Sequence, residues 1–153
     1  MNKYFQFYNA NPKEQITEDC VIRALTKFLN KPYDTVLNDL IEIYRHTGFH
    51  IADPVCFMTY LSNYSNIQKY DINFVGNVKL IELCKFIETQ HNNEKILNIT
   101  QNHDEFKHIT HKNSDRVLVL LENTHLTFVE NSVIIDIWDC SDLNIVSYFV
   151  WKD

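Results

Sequence analysis

The hydrophobic period of this chain changes once, from helical to strand-like, and that change limits the fold more than any other feature. Over Asp19 to Leu29 the apolar residues Val21, Ala24, Leu25, Phe28 and Leu29 recur at i, i+3, i+4, i+7 and i+8, one stripe of a core-facing helix. Asn30-Lys31-Pro32 breaks it. Tyr33 to Tyr44 forms a second helix capped by Asp34 or Thr35 and closed near Thr47-Gly48, and further helices are expected over about Pro54 to Asn63 and Val78 to Gln90. From Arg116 the pattern alternates. Val117 to Leu121, His125 to Val129, Val133 to Trp138 and Ile145 to Trp151 read as strands, with Asn131-Ser132 a turn of hairpin length. Helices first and an antiparallel meander last make an α+β fold, the helices packed on one face of the sheet.

With 153 residues, 45% of them hydrophobic, the chain should bury one core and form a single domain over residues 1–153. Lys and Arg number 14 against 20 Asp and Glu, and the net charge of −6 repels nucleic-acid backbones and anionic membranes. Neither partner is expected. No apolar run reaches the length of a spanning helix and Met1 to Gln15 is polar, so the expected location is the cytoplasm. Gly48 and Gly76 are the only glycines, too few for the loops that cradle nucleotide phosphates. Cys20, Cys56, Cys84 and Cys140 are scattered without a C-x-x-C pair, so each is a free thiol, and no cofactor is expected. His103, His108 and His111, with Asp104 and Glu105, match no zinc spacing and read as a solvated loop, so no metal is expected.

Cys20 stands apart from the other thiols because it opens the first helix. Unpaired N–H groups and the macrodipole there favour a thiolate, the reactive form, and can also hold an oxyanion. Thr17 or Asp19 can cap this turn. Cys56 and Cys84 fall on apolar helical stripes and read as core, while Cys140, beside Asp139 and Asp142, should be a poor nucleophile with a raised pKa. His125 opens an otherwise apolar strand, and the next strand carries one carboxylate, Asp136, among Val133, Ile134, Ile135, Ile137 and Trp138. A charge in such a run needs a partner. If Asn131-Ser132 is a two-residue turn, Val129 pairs with Ile134 and His125 shares a face with Asp136 under Trp138; a three-residue loop would bring Asp139 to His125 instead. Gln15, with Asn11 as second candidate, could supply an amide to the oxyanion.

The segment Glu18-Asp19-Cys20-Val21-Ile22-Arg23-Ala24-Leu25, followed by Pro32-Tyr33-Asp34-Thr35-Val36, resembles the D-C-V-I-R-A opening of small phage-borne and bacterial papain-like (clan CA) cysteine peptidases. His125-Leu126-Thr127-Phe128-Val129, Ile135-Asp136-Ile137-Trp138-Asp139 and Ser147-Tyr148-Phe149-Val150-Trp151 are similar to the histidine strand, the D-x-W-D strand and the closing aromatic strand of that group. Residues 46 to 115 carry no matching motif. The resemblance implies a papain-like fold with Cys20 as nucleophile, His125 as base and Asp136 as orienting carboxylate, acting on peptide or isopeptide bonds of a protein or peptide substrate. Glu18 and Thr124 stand where the group usually has glycine. The alternative is a weakly active or inactive papain-like scaffold serving as a binding or inhibitory protein of phage type against a host factor.

Overall fold

A computed structural model of the chain describes residues 2–13, 19–72, 78–91 and 104–152. Among these residues four helices and a six-stranded mixed sheet form an α+β fold. In chain order the elements are β1 (Phe5–Phe7), α1 (Cys20–Leu29), α2 (Tyr33–Thr47), α3 (Pro54–Leu61), β2 (Ile67–Asp71), α4 (Leu80–His91), β3 (Arg116–Leu121), β4 (Leu126–Glu130), β5 (Val133–Asp136) and β6 (Ile145–Trp151).

The strands lie in the order β1-β5-β4-β3-β6-β2. The four strands expected from alternation pair antiparallel, but two edge strands join them: β2 runs antiparallel to β6, and β1 runs parallel to β5. The expected purely antiparallel sheet is therefore mixed. Both added strands are short and only partly buried, so neither shows the alternation that marks a half-buried strand. The placement of all helices on one face also needs correction. Leu118 and Leu120 of β3 meet α1, α2 and α3, whereas Val117, Val119 and Leu121 meet α4 on the opposite face. β3 can be covered on both sides because its sequence is apolar at five successive positions, the pattern of a fully buried strand.

Several helix boundaries have a local cause. Leu25 and Phe28 are completely buried, and such side chains contribute about 1.5–3 kcal/mol each relative to exposure, which holds α1 on the sheet. Asn30 ends α1 in the left-handed region (φ 55°), its N–H donating to the Thr26 carbonyl. The expected Asp34 or Thr35 cap is not used, because Pro32 fixes an extended backbone and α2 begins directly at Tyr33. Gly48 closes α2 at φ 80°, a conformation glycine adopts without a Cβ penalty. Asp53 caps α3, accepting from the Val55 N–H at 2.9 Å with Pro54 next in line. The turn between β4 and β5 has Asn131 (φ 50°) and Ser132 (φ 70°) both left-handed, the backbone of a two-residue type I′ hairpin achieved without glycine. No helix among the described residues is long and apolar enough to cross a membrane.

Candidate active site

Cys20 is the first residue of α1 and is half-buried, unlike the other three thiols, which are buried. The first helical hydrogen bond runs from the Arg23 N–H to the Asp19 carbonyl at 3.0 Å. The N–H groups of Cys20, Val21 and Ile22 thus precede any intrahelical acceptor. Asp19 does not cap them, as was one of two expectations. Its carboxylate turns instead to the Arg23 guanidinium, to the Asn11 amide at 3.1 Å and to the Tyr33 hydroxyl at 2.7 Å. Thr17 and Gln15 lie outside the described residues. Asn11, the second candidate for an oxyanion amide, has its NH₂ committed to Asp19.

Register brings histidine and carboxylate together. Val129 pairs with Ile134 and Phe128 with Ile135, so Thr127 faces Asp136 and His125 is its diagonal neighbour on the same side. His125 Nε2 lies 2.8 Å from Asp136 Oδ2, and Thr127 Oγ1 donates to that same oxygen at 2.6 Å. The Ile137 N–H donates to Oδ1 at 2.7 Å. Asp136 is only 4% exposed. An ionised carboxylate accepts only, so Nε2 carries a proton and the other ring nitrogen is left to exchange one with a thiol. The three-residue-loop alternative is not realised: Asp139 accepts from the Ser141 N–H at 3.0 Å and lies 3.3 Å from the Asn2 amide. The Trp138 ring packs on His125 with centroids 4.9 Å apart, yet it remains 44% exposed, so it covers one face of the imidazole only.

The backbone entering β4 is unusual. Asn123 (φ 60°) and Thr124 (φ 56°) are both left-handed, and a β-branched residue there carries steric strain. Glycine would adopt this conformation at position 124 without a Cβ penalty. Glu122 anchors this turn by accepting from the Asn144 backbone and side-chain amides at 3.0 and 3.3 Å.

The charges of these groups are interdependent. Burial pushes the Cys20 thiol up, but the nearness of His125 and of the Leu126 backbone, with the positive fields of His125 and Arg23, outweighs burial and holds it below the ordinary thiol value. For His125, burial alone would lower the pKa. The hydrogen bond to Asp136, the neighbouring Cys140 and Cys20 sulfurs and the charge of Asp136 prevail and raise it to about 11. Asp136 is likewise pushed up by burial and pulled down further by His125 and Thr127, ending below the usual carboxylate range. The direction common to all three is thiolate, imidazolium, carboxylate.

A cleft of about 540 Å³ opens over these groups, with Cys20 and His125 in its wall beside Ile51, Trp138 and Leu143. His50 and Ala52, from the segment joining α2 to α3, also line it; nothing in the sequence marked that segment as part of the site.

Cys56 and Cys84 are fully buried, as their helical positions implied. Cys140 does have a raised pKa, but the first cause is burial, followed by opposing effects of His125 and Asp136 rather than its sequence neighbours. Its Sγ lies 3.7 Å from Asp136 Oδ2. His108 stacks on Tyr70 with ring centroids 3.9 Å apart, and His103 lies outside the described residues. Arg23 was missed as a site residue. It is buried with an Nη2 3.5 Å from Asp136 Oδ1, and the signal was present, since a charge among Val21, Ile22, Ala24 and Leu25 needs a partner as much as Asp136 does.

The ligand atoms of His125, Asp136 and Cys140 lie within 4.8 Å of one another, a set of donor types able to hold a divalent cation. Asp136 Oδ2 already accepts from His125 and Thr127, and the neighbouring guanidinium opposes a second positive charge. No family model, curated protein or solved structure matches the chain.

Proposed function

We propose that the protein is a papain-like cysteine hydrolase that cleaves a peptide or isopeptide bond through Cys20, His125 and Asp136. The observation that carries this reading is the half-buried Cys20 thiol at a helix start, in the wall of the same cleft as a histidine whose Nε2 is 2.8 Å from a buried carboxylate. The Cys20 thiolate attacks the carbonyl carbon, and the oxyanion is held by N–H groups of the first turn of α1, which precede its first intrahelical hydrogen bond. His125 then protonates the departing amine, leaving an acyl-thioester. Water, deprotonated by the now neutral His125, attacks this ester and releases the acid with regeneration of the pair. Asp136 keeps the imidazole oriented and stabilises its charged form throughout. A cleft with apolar Ile51, Trp138 and Leu143 in its wall suits an extended peptide rather than a small anion.

The experiment is labelling with an electrophilic thiol probe at neutral pH, located by mass spectrometry. Labelling confined to Cys20 and lost in His125→Ala supports the enzyme. Labelling indifferent to His125 supports the second reading, a papain-like binding protein, which the strained Thr124 backbone beside the histidine favours.

A further inference from the structure

We propose that Arg23 is a positioning residue of the same site: its guanidinium holds the Asp136 carboxylate toward His125 and balances its charge, and Asp19 in turn holds Arg23. The inference rests on the Cys20–His125–Asp136 reading and extends it to a second tier of residues.

Arg23 lies one helical turn beyond Cys20, on the helix that carries the nucleophile. Its side chain is 7% exposed and sits between two carboxylates of comparable burial, Nη1 bonding Asp19 Oδ1 and Nη2 lying 3.5 Å from Asp136 Oδ1. Removing three charged groups from water is costly, and similarly shaped apolar residues would stabilise such a core at least as well. The arrangement therefore calls for a role other than stability. The geometry supplies one, because the two oxygens of Asp136 are divided between tasks. Oδ2 receives His125 and Thr127 from β4, while Oδ1 receives the Ile137 N–H and faces Arg23 from α1. Arg23 is thus the tie between the helix bearing the thiol and the strand bearing the carboxylate. Asp19 is fixed by Asn11 from the N-terminal segment and by Tyr33 from α2, so the guanidinium is held from both sides. A single ammonium could not divide itself between two carboxylates in this planar fork.

The charges point the same way. The titratable and charged groups around Arg23 are Asp19, Asp136, His125, Cys20, Cys140 and Tyr33. With the thiolate and imidazolium formed, three negative charges face two positive ones. Loss of Arg23 leaves three against one, and loss of the Asp19 charge leaves two against two. The two substitutions should therefore move Cys20 in opposite directions.

Iodoacetamide alkylation of the Cys20 peptide, followed by mass spectrometry from pH 5 to 9, reads this directly. Arg23→Met should move the Cys20 titration up by about one unit, the lower end for loss of a nearby opposite charge, and slow alkylation at pH 6 roughly tenfold. Arg23→Lys should recover part of that loss by restoring the charge without the fork. Asp19→Asn should move the titration down. If Arg23→Met does not fold, the Asp19→Asn arm still decides the question, because a merely structural network would lower the melting temperature and leave the thiol titration where it was. An unmoved titration in folded variants, or an upward shift in Asp19→Asn, overturns the role of Arg23. Failure of the wild-type protein to show His125-dependent reactivity at Cys20 would instead overturn the site reading on which it rests.

Discussion

Replacing Cys20 by serine removes one titratable group while His125 and Asp136 stay in place, so the pH dependence of stability reports the charge state of the resting pair without any substrate. In the folded protein near pH 7 the proposed pair holds one proton, on His125. Between about pH 6.5 and 8.5 the unfolded chain also holds one, on the thiol, because imidazole has lost its proton and cysteine has not. Equal proton numbers make the contribution of this pair to stability flat over that window. In Cys20→Ser the folded state keeps the His125 proton, which Asp136 sustains, and the unfolded state has none to match it. A folded-state pKa raised above the unfolded one gives stability that is complete below about pH 6.5 and is lost as pH rises through the folded value, about 11 in the native site. The depressed Cys20 thiol works in the opposite sense, its contribution complete above the unfolded thiol value and lost as pH falls. The slope for one proton is about 1.36 kcal/mol per pH unit and falls to about half as the unfolded thiol ionises near pH 8.5, so over the window the gap between wild type and Cys20→Ser should widen by ~2.3 kcal/mol. At about 2–4 °C per kcal/mol for a domain of this length, the difference in melting temperature should grow by roughly 5–9 °C from pH 6.5 to 8.5. Parallel thermal melts of both proteins at half-unit intervals measure it, and other titrating groups cancel in the difference. A gap that stays constant across the window means that Cys20 rests as a neutral thiol, and the ion-pair argument fails.

Comparing serine substitutions separates chemistry from packing: Cys84→Ser buries a hydroxyl among apolar side chains and should cost about 1–3 kcal/mol, Cys56→Ser should fall at the lower end of that range because the Leu40 carbonyl 3.7 Å from Sγ can accept from the hydroxyl, and Cys20→Ser at pH 6.5 should be the mildest of the three. If calorimetry ranks Cys20→Ser as the most damaging at that pH, Cys20 is structural. Asp136→Asn keeps the shape but removes the countercharge of His125, so the imidazole pKa should fall toward its ordinary value and Cys20 alkylation at pH 6 should slow by at least tenfold. An unchanged rate there would show that Asp136 does not act on the pair. Thr124→Gly relieves a β-branched side chain held at φ 56° and should raise stability by up to ~1 kcal/mol, seen as a higher denaturant midpoint at constant m. A lower midpoint would mean that the Thr124 side chain contributes more than the strain it carries.

Much of the site could be read from the chain because its signals are local. A period of 3.6 placed Cys20 at a helix start, and a lone aspartate in an apolar strand signalled a buried partner. A two-residue turn at Asn131-Ser132 sets side-chain parity, so Val129 opposite Ile134 was enough to put His125 and Asp136 on one face. Cys56 and Cys84 were legible as core by the same periodicity. Other features have no local signature. β1 and β2 are defined by the strands beside them: β1 is a three-residue segment ordered by parallel pairing to β5, and such pairing joins residues more than a hundred positions apart. The second layer, α4 against the far face of β3, follows from how the sheet is covered and not from α4 itself.

The sequence by itself determined the four helices, the four strands of the meander, their apolar stripes and the chemical types available to a site, because these follow from spacing along the chain. Only the tertiary structure decided which charges meet. It turned Asp19 from a helix cap into the anchor of Arg23, brought Arg23 to Asp136, sent Asp139 to the Ser141 backbone and placed the α2–α3 segment over the cleft. A buried charge goes to whichever partner the packing brings within about 3–4 Å, and that choice is made by side chains distant in sequence whose positions exist only once the core has closed.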